Sequence, residues 1–271
     1  GLPGDVRLIS RGEQVVLLRE HMFELSLERY LPLGDPTRFL SALVDLFVRA
    51  KDEAVTPESF LAHATELAAR ARDAGDEEAA ALADLAATRG ELATAYAAYQ
   101  RLLARRGLID HGDQIALALR LLRERPALRD AVRARYRYLL VDEFQDTNPS
   151  QLELVFALTG GARNVTVVGD PDQAIYTFRG AATSNLRRFV GAHPDVRWVV
   201  LRRNYRSHAP ILEASSRLIG HNRSEDDVAT TALGWPVAHR RSRAPAPSPW
   251  RGAPSARRPS CRSARRRRSR R

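Results

Sequence analysis

Near residue 135 the apolar residues of this chain change period, and few folds accommodate the change. Beyond that point come three short runs rich in β-formers: Tyr138-Leu139-Leu140-Val141, Val165-Thr166-Val167-Val168 and Val196-Arg197-Trp198-Val199-Val200-Leu201. Each is followed by a polar segment and then by a helical pattern. Asn148 before Pro149 is the expected cap of the first helix, Thr183 of the second and Ser207 of the third. Strands that alternate with helices predict an α/β fold with a parallel sheet and crossover connections. The runs do not alternate apolar with polar, which predicts a sheet covered on both faces. Ligands of such folds bind at the carboxyl ends of the strands, and the polar clusters of this chain lie there.

Residues 1–135 read as helical. Asp35 before Pro36 predicts a helix start, with Phe39, Leu40, Leu43, Val44, Phe47 and Val48 as its apolar stripe. Thr56-Pro57-Glu58 repeats the same start signal. A long Ala-rich helix is expected from about Asp76 to Arg106, with Leu85, Leu92, Tyr96, Tyr99, Leu102 and Leu103 on one side. Gly90 is expected to weaken or interrupt it. A further helix follows Gly112, and Pro126 opens a short one.

The end of the chain is of another kind. Residues 240–271 hold 13 arginines and no acid, and 30 of those 32 residues are Arg, Pro, Ser, Ala or Gly. Such a composition builds no core, so the stretch 225–271 is expected to be a disordered tail. The formal net charge of +11 therefore misleads, because residues 1–239 carry 30 basic and 32 acidic groups. Of the 43 basic residues only Lys51 is a lysine. Arg, Pro, Ala, Gly and Ser share GC-rich codons, so a frameshift between residues 225 and 240 would yield this tail. The start at Gly1 in place of Met points to a partial product.

Composition excludes several classes. No apolar run reaches the ~18 residues of a membrane span. The first residues, with Asp5, Arg7 and Arg11, form no apolar signal segment. The single cysteine, Cys261, excludes a disulfide within the chain and fits a cytoplasmic setting. No His-Glu-x-x-His or Cys-x-x-Cys pair suggests a zinc site.

Three polar segments can carry chemistry. Asp142-Glu143-Phe144-Gln145-Asp146 ends the first run. An acidic pair at a strand tip can hold Mg²⁺ beside phosphates through one carboxylate and polarise water with the other. Taken alone, such a pair is more often a solvated acidic turn. Gly169-Asp170-Pro171-Asp172-Gln173 ends the second run. Gly169 permits a tight exit, and Gln173 can point at a terminal phosphate and its attacking water. Tyr176, Phe178 and Arg179 follow, a cluster suited to stacking on unpaired bases or, equally, a pair of core aromatics under a loop. Asn204-Tyr205-Arg206-Ser207 follows the third run. Tyr205 can stack on a purine and Arg206 can neutralise a phosphoryl group, though alone this is a basic loop before a helix.

Taken together, in order and spacing, these segments resemble the helicase motifs of the UvrD/Rep family of superfamily 1 DNA helicases. The likeness covers roughly residues 1–224 and is strongest over 136–207. It implies a partial RecA-like P-loop NTPase motor domain over 136–224, preceded by the helical insertion of that domain over 1–135. Ile109-Asp110-His111-Gly112-Asp113 resembles the family's acidic segment upstream of the Mg²⁺ motif, with His-Gly as a variation. The resemblance makes Asp142 the Mg²⁺ ligand, Glu143 the base that activates water and Gln173 the γ-phosphate sensor. It makes Tyr176, Phe178 and Arg179 single-strand DNA contacts, with Phe178 where the family usually has Trp. Tyr205 becomes the adenine-stacking tyrosine and Arg206 the arginine on the γ-phosphate. The implied cofactors are ATP and Mg²⁺. The implied partners are single-stranded and duplex DNA, with 3′ to 5′ movement in repair or recombination.

One departure qualifies these expectations. The family's phosphate loop ends in Gly-Lys-Thr or Gly-Lys-Ser, whereas Lys51 stands between Ala50 and Asp52. The resemblance places that loop upstream of Gly1 and the later motifs beyond residue 224. The expectation is a middle piece of a motor without ATPase activity of its own. The alternative reading is a non-catalytic nucleic-acid-binding remnant that works through its Arg-rich tail.

Overall fold

The computed structural model describes residues 5–30, 34–35, 37–160, 164–174, 183–201 and 203–220. The chain divides into two compact units, Gly1–Val196 and Arg197–Arg271. The first is helix-rich with two small parallel sheets, an α/β arrangement.

The N-terminal half is mostly helical. Ser10 and Glu13 close a capping box at the start of α1 (Arg11–Glu20). Then come α2 (Leu40–Asp52), α3 (Pro57–Asp73) and α4 (Asp76–Arg105). Thr56 caps α3 ahead of Pro57, as the sequence predicts. The start predicted at Asp35 is displaced to Leu40. The Asp35 carboxylate instead accepts from the backbone and hydroxyl of Thr37, 3.1 and 2.8 Å away. That local turn competes with helix for the same backbone groups. Gly90 leaves α4 unbroken for its 30 residues, because packing of the flanking Ala, Leu and Tyr outweighs one weak residue. One core gathers the stripes: Leu40, Leu43, Val44 and Phe47 of α2 meet Tyr96, Tyr99, Leu102 and Leu103 of α4. The Phe47 ring stacks on Tyr96 at 5.2 Å and on Tyr99 at 5.1 Å.

Helicity is not complete here. β1 (Arg7–Leu8) pairs in parallel with β2 (Leu108–Ile109), two short strands that the helical reading of residues 1–135 passes over. Two-residue strands carry no readable period, so only the tertiary contact creates them.

Asp110 closes a capping box with Asp113 at the start of α5 (His111–Glu124), and α6 (Pro126–Arg135) follows. Behind the α5 cap lies a buried ionic cluster. Lys51 Nζ sits 2.5 Å from Asp110 Oδ2 and 2.8 Å from Asp113 Oδ1, with all three side chains at most 5% exposed. Tyr99 donates its hydroxyl to Asp110 Oδ2 at 2.9 Å. Burial first, then the Asp110 charge, pushes that phenol up well beyond its ordinary range. Lys51 O accepts from the Ser150 hydroxyl, and Asn148 Nδ2 donates to Asp52 Oδ1 at 2.8 Å. The helical half is thereby fixed to the start of α7 (Pro149–Thr159).

Two glycines make opposite predictions. A Cβ on Gly112 would lie 2.8 Å from Lys51 Cβ and Cδ, atoms the ion pairs hold in place, whereas a Cβ on Gly90 meets nothing within 4 Å. Gly90→Ala should stabilise the chain by about 0.8–1 kcal/mol through helix propensity. Gly112→Ala should destabilise it by about 1–3 kcal/mol, since overpacking outweighs the same propensity gain. Urea melts of both variants check the pair, and an equal shift of the same sign in both would refute the packing at Gly112.

β3 (Leu139–Val141) pairs in parallel with β4 (Val165–Val167), in the register Leu139 to Val165 and Val141 to Val167. α7 links them, capped by Asn148 with Pro149 in the first turn as predicted, and α8 (Thr183–Ala192) follows. Phe144, Leu152 and Phe189 form the small core beneath, with Val141, Val165 and Val167 against it. The expectation of a sheet covered on both faces is corrected among the described residues. Leu140 is 76% exposed and Tyr138 is 78% exposed, because both helices lie on the face opposite.

The third predicted strand is also corrected. Val196–Leu201 forms no ladder among the described residues, and Val199 and Leu201 are exposed. β-propensity makes a strand only where a partner edge is offered. In the second unit α9 (Ala209–Gly220) begins two residues past Ser207. The predicted disordered tail lies outside the described residues. No described helix is long and apolar enough to cross a membrane.

Candidate functional site

The ends of β3 and β4 carry the acidic segments side by side. Val168 N–H donates to Val141 O at 2.8 Å, and Phe144 N–H returns to Val168 O at 2.9 Å, so the two strands leave the sheet tied together. Phe144 turns down into the small core, 5.4 Å from the Phe189 ring. Asn185 of α8, 1% exposed, donates to Thr147 O at 2.8 Å and holds the far end of the loop. The segment 142–147 is therefore fixed at both ends while Asp142 and Glu143 face water.

Asp142 and Glu143 are both exposed. Glu143 takes a left-handed backbone conformation, φ 49° and ψ 43°, a state that costs a residue with a Cβ about 1 kcal/mol or more. Its N–H then reaches Asp142 Oδ1 at 3.0 Å, and its carboxylate meets Gln145 Nε2 at 2.7 Å. Gln145 Oε1 accepts from the backbone N–H of Asp170 at 3.0 Å. Asp170 Oδ2 accepts from Gln173 Nε2 at 2.9 Å, and its Oδ1 accepts from Asp172 N–H at 3.0 Å. Gly169 serves close approach, because a Cβ there would lie 2.8 Å from Gln145 Oε1 and 3.2 Å from Gln145 N.

The structure thus joins three of the residues singled out by sequence, Asp142, Glu143 and Gln173, in one hydrogen-bonded cluster. It adds two that sequence reasoning named without a role, Gln145 and Asp170. The spacing of Gln145, two residues past Glu143, was the available signal. Tyr176, Phe178 and Arg179 lie outside the described residues. Tyr205 and Arg206 belong to the second unit, where both are exposed. There the Asn204 side chain accepts from the N–H groups of Arg206 and Ser207, both at 2.9 Å, which shapes the turn ahead of α9.

The acidic pair fits Mg²⁺ in one way only. No cluster of three or more His, Cys, Asp or Glu side chains able to hold a metal occurs among the described residues. A full protein cage is thus not offered. A single hard carboxylate at a strand end, completed by phosphate oxygens and water, is the coordination Mg²⁺ accepts.

Paired parallel strands that present an acidic pair and a glutamine at their carboxyl ends define an α/β protein, a class whose ligands bind at that end of the strands. Comparison with known proteins narrows the class. Residues 14–194 match the UvrD/REP helicase N-terminal domain, and the chain belongs to that family. It is similar to the ATP-dependent DNA helicase UvrD1 of Mycobacterium leprae, 42% identical over 149 residues, which is 51% of this chain and 19% of that protein. It is similar to the ATP-dependent DNA helicase PcrA of Staphylococcus epidermidis, 39% identical over 131 residues, 48% of this chain and 18% of that protein. With PcrA of Staphylococcus aureus it shares 31% identity over 210 residues, 77% of this chain and 28% of that protein. The chain therefore spans no more than 28% of the length of these relatives.

Proposed function

We propose that this chain is the water-activating part of an ATP-driven DNA helicase motor, with residues 136–224 as a RecA-like core segment and 1–135 as its helical insertion. What carries the reading is the hydrogen-bonded run from Glu143 through Gln145 and Asp170 to Gln173, which connects the ends of two parallel strands. In this reading Asp142 holds Mg²⁺, which neutralises charge on the phosphates. Glu143 orients a water and takes its proton. Gln173 senses the terminal phosphate, Tyr205 stacks on adenine and Arg206 stabilises the transferring group. Tyr176, Phe178 and Arg179 stack on and pair with single-stranded DNA. The reading extends to 3′ to 5′ movement, duplex unwinding, a role in repair and action in the cytoplasm, which the resemblance of the motifs to the family implies.

The 271 residues lack a Gly-Lys-Thr or Gly-Lys-Ser sequence. A transferring phosphoryl group is stabilised by loop amides and lysine on one side and by metal and arginine on the other. By itself this chain should release no phosphate from ATP when single-stranded DNA is added. The same residues completed by an upstream phosphate loop and the family's later motifs should do so. Turnover by the 271 residues alone, or none by the completed chain, would overturn the proposal. The 13 arginines of residues 240–271 favour a second reading, in which the tail binds nucleic acid phosphates without sequence preference.

A further inference from the structure

We propose that Gln145 is a positioning residue that ties the water-activating carboxylate to the phosphate sensor, so that Glu143 is oriented only while the loop bearing Gln173 is in place. The inference rests on the roles of Glu143 and Gln173 proposed above. A primary amide donates at one end and accepts at the other. The Asp170 N–H, 3.0 Å from Gln145 Oε1, fixes which end is which and turns the NH₂ group onto Glu143 Oε2 at 2.7 Å. Asp170 carries the connection on through its carboxylate to Gln173 Nε2 at 2.9 Å. Three bonds therefore lead from one strand end to the other.

Two further observations say that this contact is built in. Gly169 leaves open the space that Gln145 occupies; any Cβ there would crowd Gln145 Oε1 at 2.8 Å. Glu143 holds a left-handed backbone at φ 49°, and its carboxylate is bonded to Gln145 in that conformation. With Oε2 bonded to Gln145, Oε1 remains for water. When Gln173 shifts on phosphate binding or loss, the displacement passes through Asp170 and Gln145 to Glu143. Gln145 touches no reacting atom in this scheme.

Two substitutions separate positioning from simple loop support. Gln145→Leu removes both bonds. Gln145→Glu keeps an acceptor for the Asp170 N–H but loses the donor to Glu143. In the 271-residue chain, exchange of the Asp170 amide should quicken in Gln145→Leu and stay near the parent rate in Gln145→Glu. In the completed chain, kcat for DNA-stimulated ATP hydrolysis should fall by about 10- to 100-fold in both variants, the size expected for a misplaced catalytic group. KM for ATP should stay near the parent value. A Gln145→Glu chain that turns over at the parent kcat would show loop support alone and overturn the proposal. Glu143→Gln is measured alongside: if it keeps turnover, the role of Glu143 fails and the proposal with it. If it is inactive while both Gln145 variants match the parent, the proposal fails by itself.

Discussion

Lys51→Met should lower the stability of the 271-residue chain by about 3–5 kcal/mol, because it strands two carboxylates in the core without a cation. For a folded region of this size that is a fall in melting midpoint of roughly 6–20 °C. The geometry supports the upper part of the range. Asp110 Oδ1 accepts from Asp113 N–H at 3.0 Å and Asp113 Oδ2 from Asp110 N–H at 3.1 Å. The remaining oxygens, Asp110 Oδ2 and Asp113 Oδ1, both face Lys51 Nζ. All four carboxylate oxygens are satisfied while the lysine is present, and two lose their cation without it. The amino end of α5 stabilises negative charge there by only about 0.3–1 kcal/mol, too little to compensate. Adding Asp110→Asn and Asp113→Asn to Lys51→Met should recover part of the loss, since the buried charge then disappears. A Lys51→Met chain that melts with the parent would contradict the account of this cluster.

The cluster also shows where the sequence was readable and where it was not. Lys51 stands out as the single lysine among 43 basic residues. Between Ala50 and Asp52 it cannot belong to a Gly-Lys-Thr or Gly-Lys-Ser phosphate loop. Yet Leu40, Val44, Phe47 and Lys51 share one helical stripe, so a buried cation was legible from spacing. A compact ammonium on an unbranched stem suits that place better than a planar guanidinium. The Asn148-Pro149 cap was legible because local chemistry decides it, and the strands at 139–141 and 165–167 because each β-rich run offers the other its partner edge. The strand expected at 196–201 failed because pairing is decided by a partner elsewhere in the chain. The β1–β2 pair was missed for the same reason. In the site, sequence marked Asp142, Glu143 and Gln173 as separate candidates. Only the fold brings Gln145 of one strand end against Asp170 of the other.

Glu143→Gln should cut DNA-stimulated ATP turnover of the completed chain by about 10²- to 10⁴-fold, the usual worth of a positioned general base. The amide keeps the size of the side chain and can still accept from Gln145 Nε2, so the loop should hold its shape. It cannot take a proton from water. ATP affinity should hardly change, because Asp142, on the other side of the pair, keeps its carboxylate. The loss therefore belongs to kcat, which marks an interaction made in the transition state. The direct test is phosphate release with single-stranded DNA, run beside equilibrium ATP binding on the parent and Glu143→Gln chains. The account predicts lost turnover with retained binding; turnover retained by Glu143→Gln, or ATP binding lost together with it, would contradict the assignment of Glu143 as the residue that activates water.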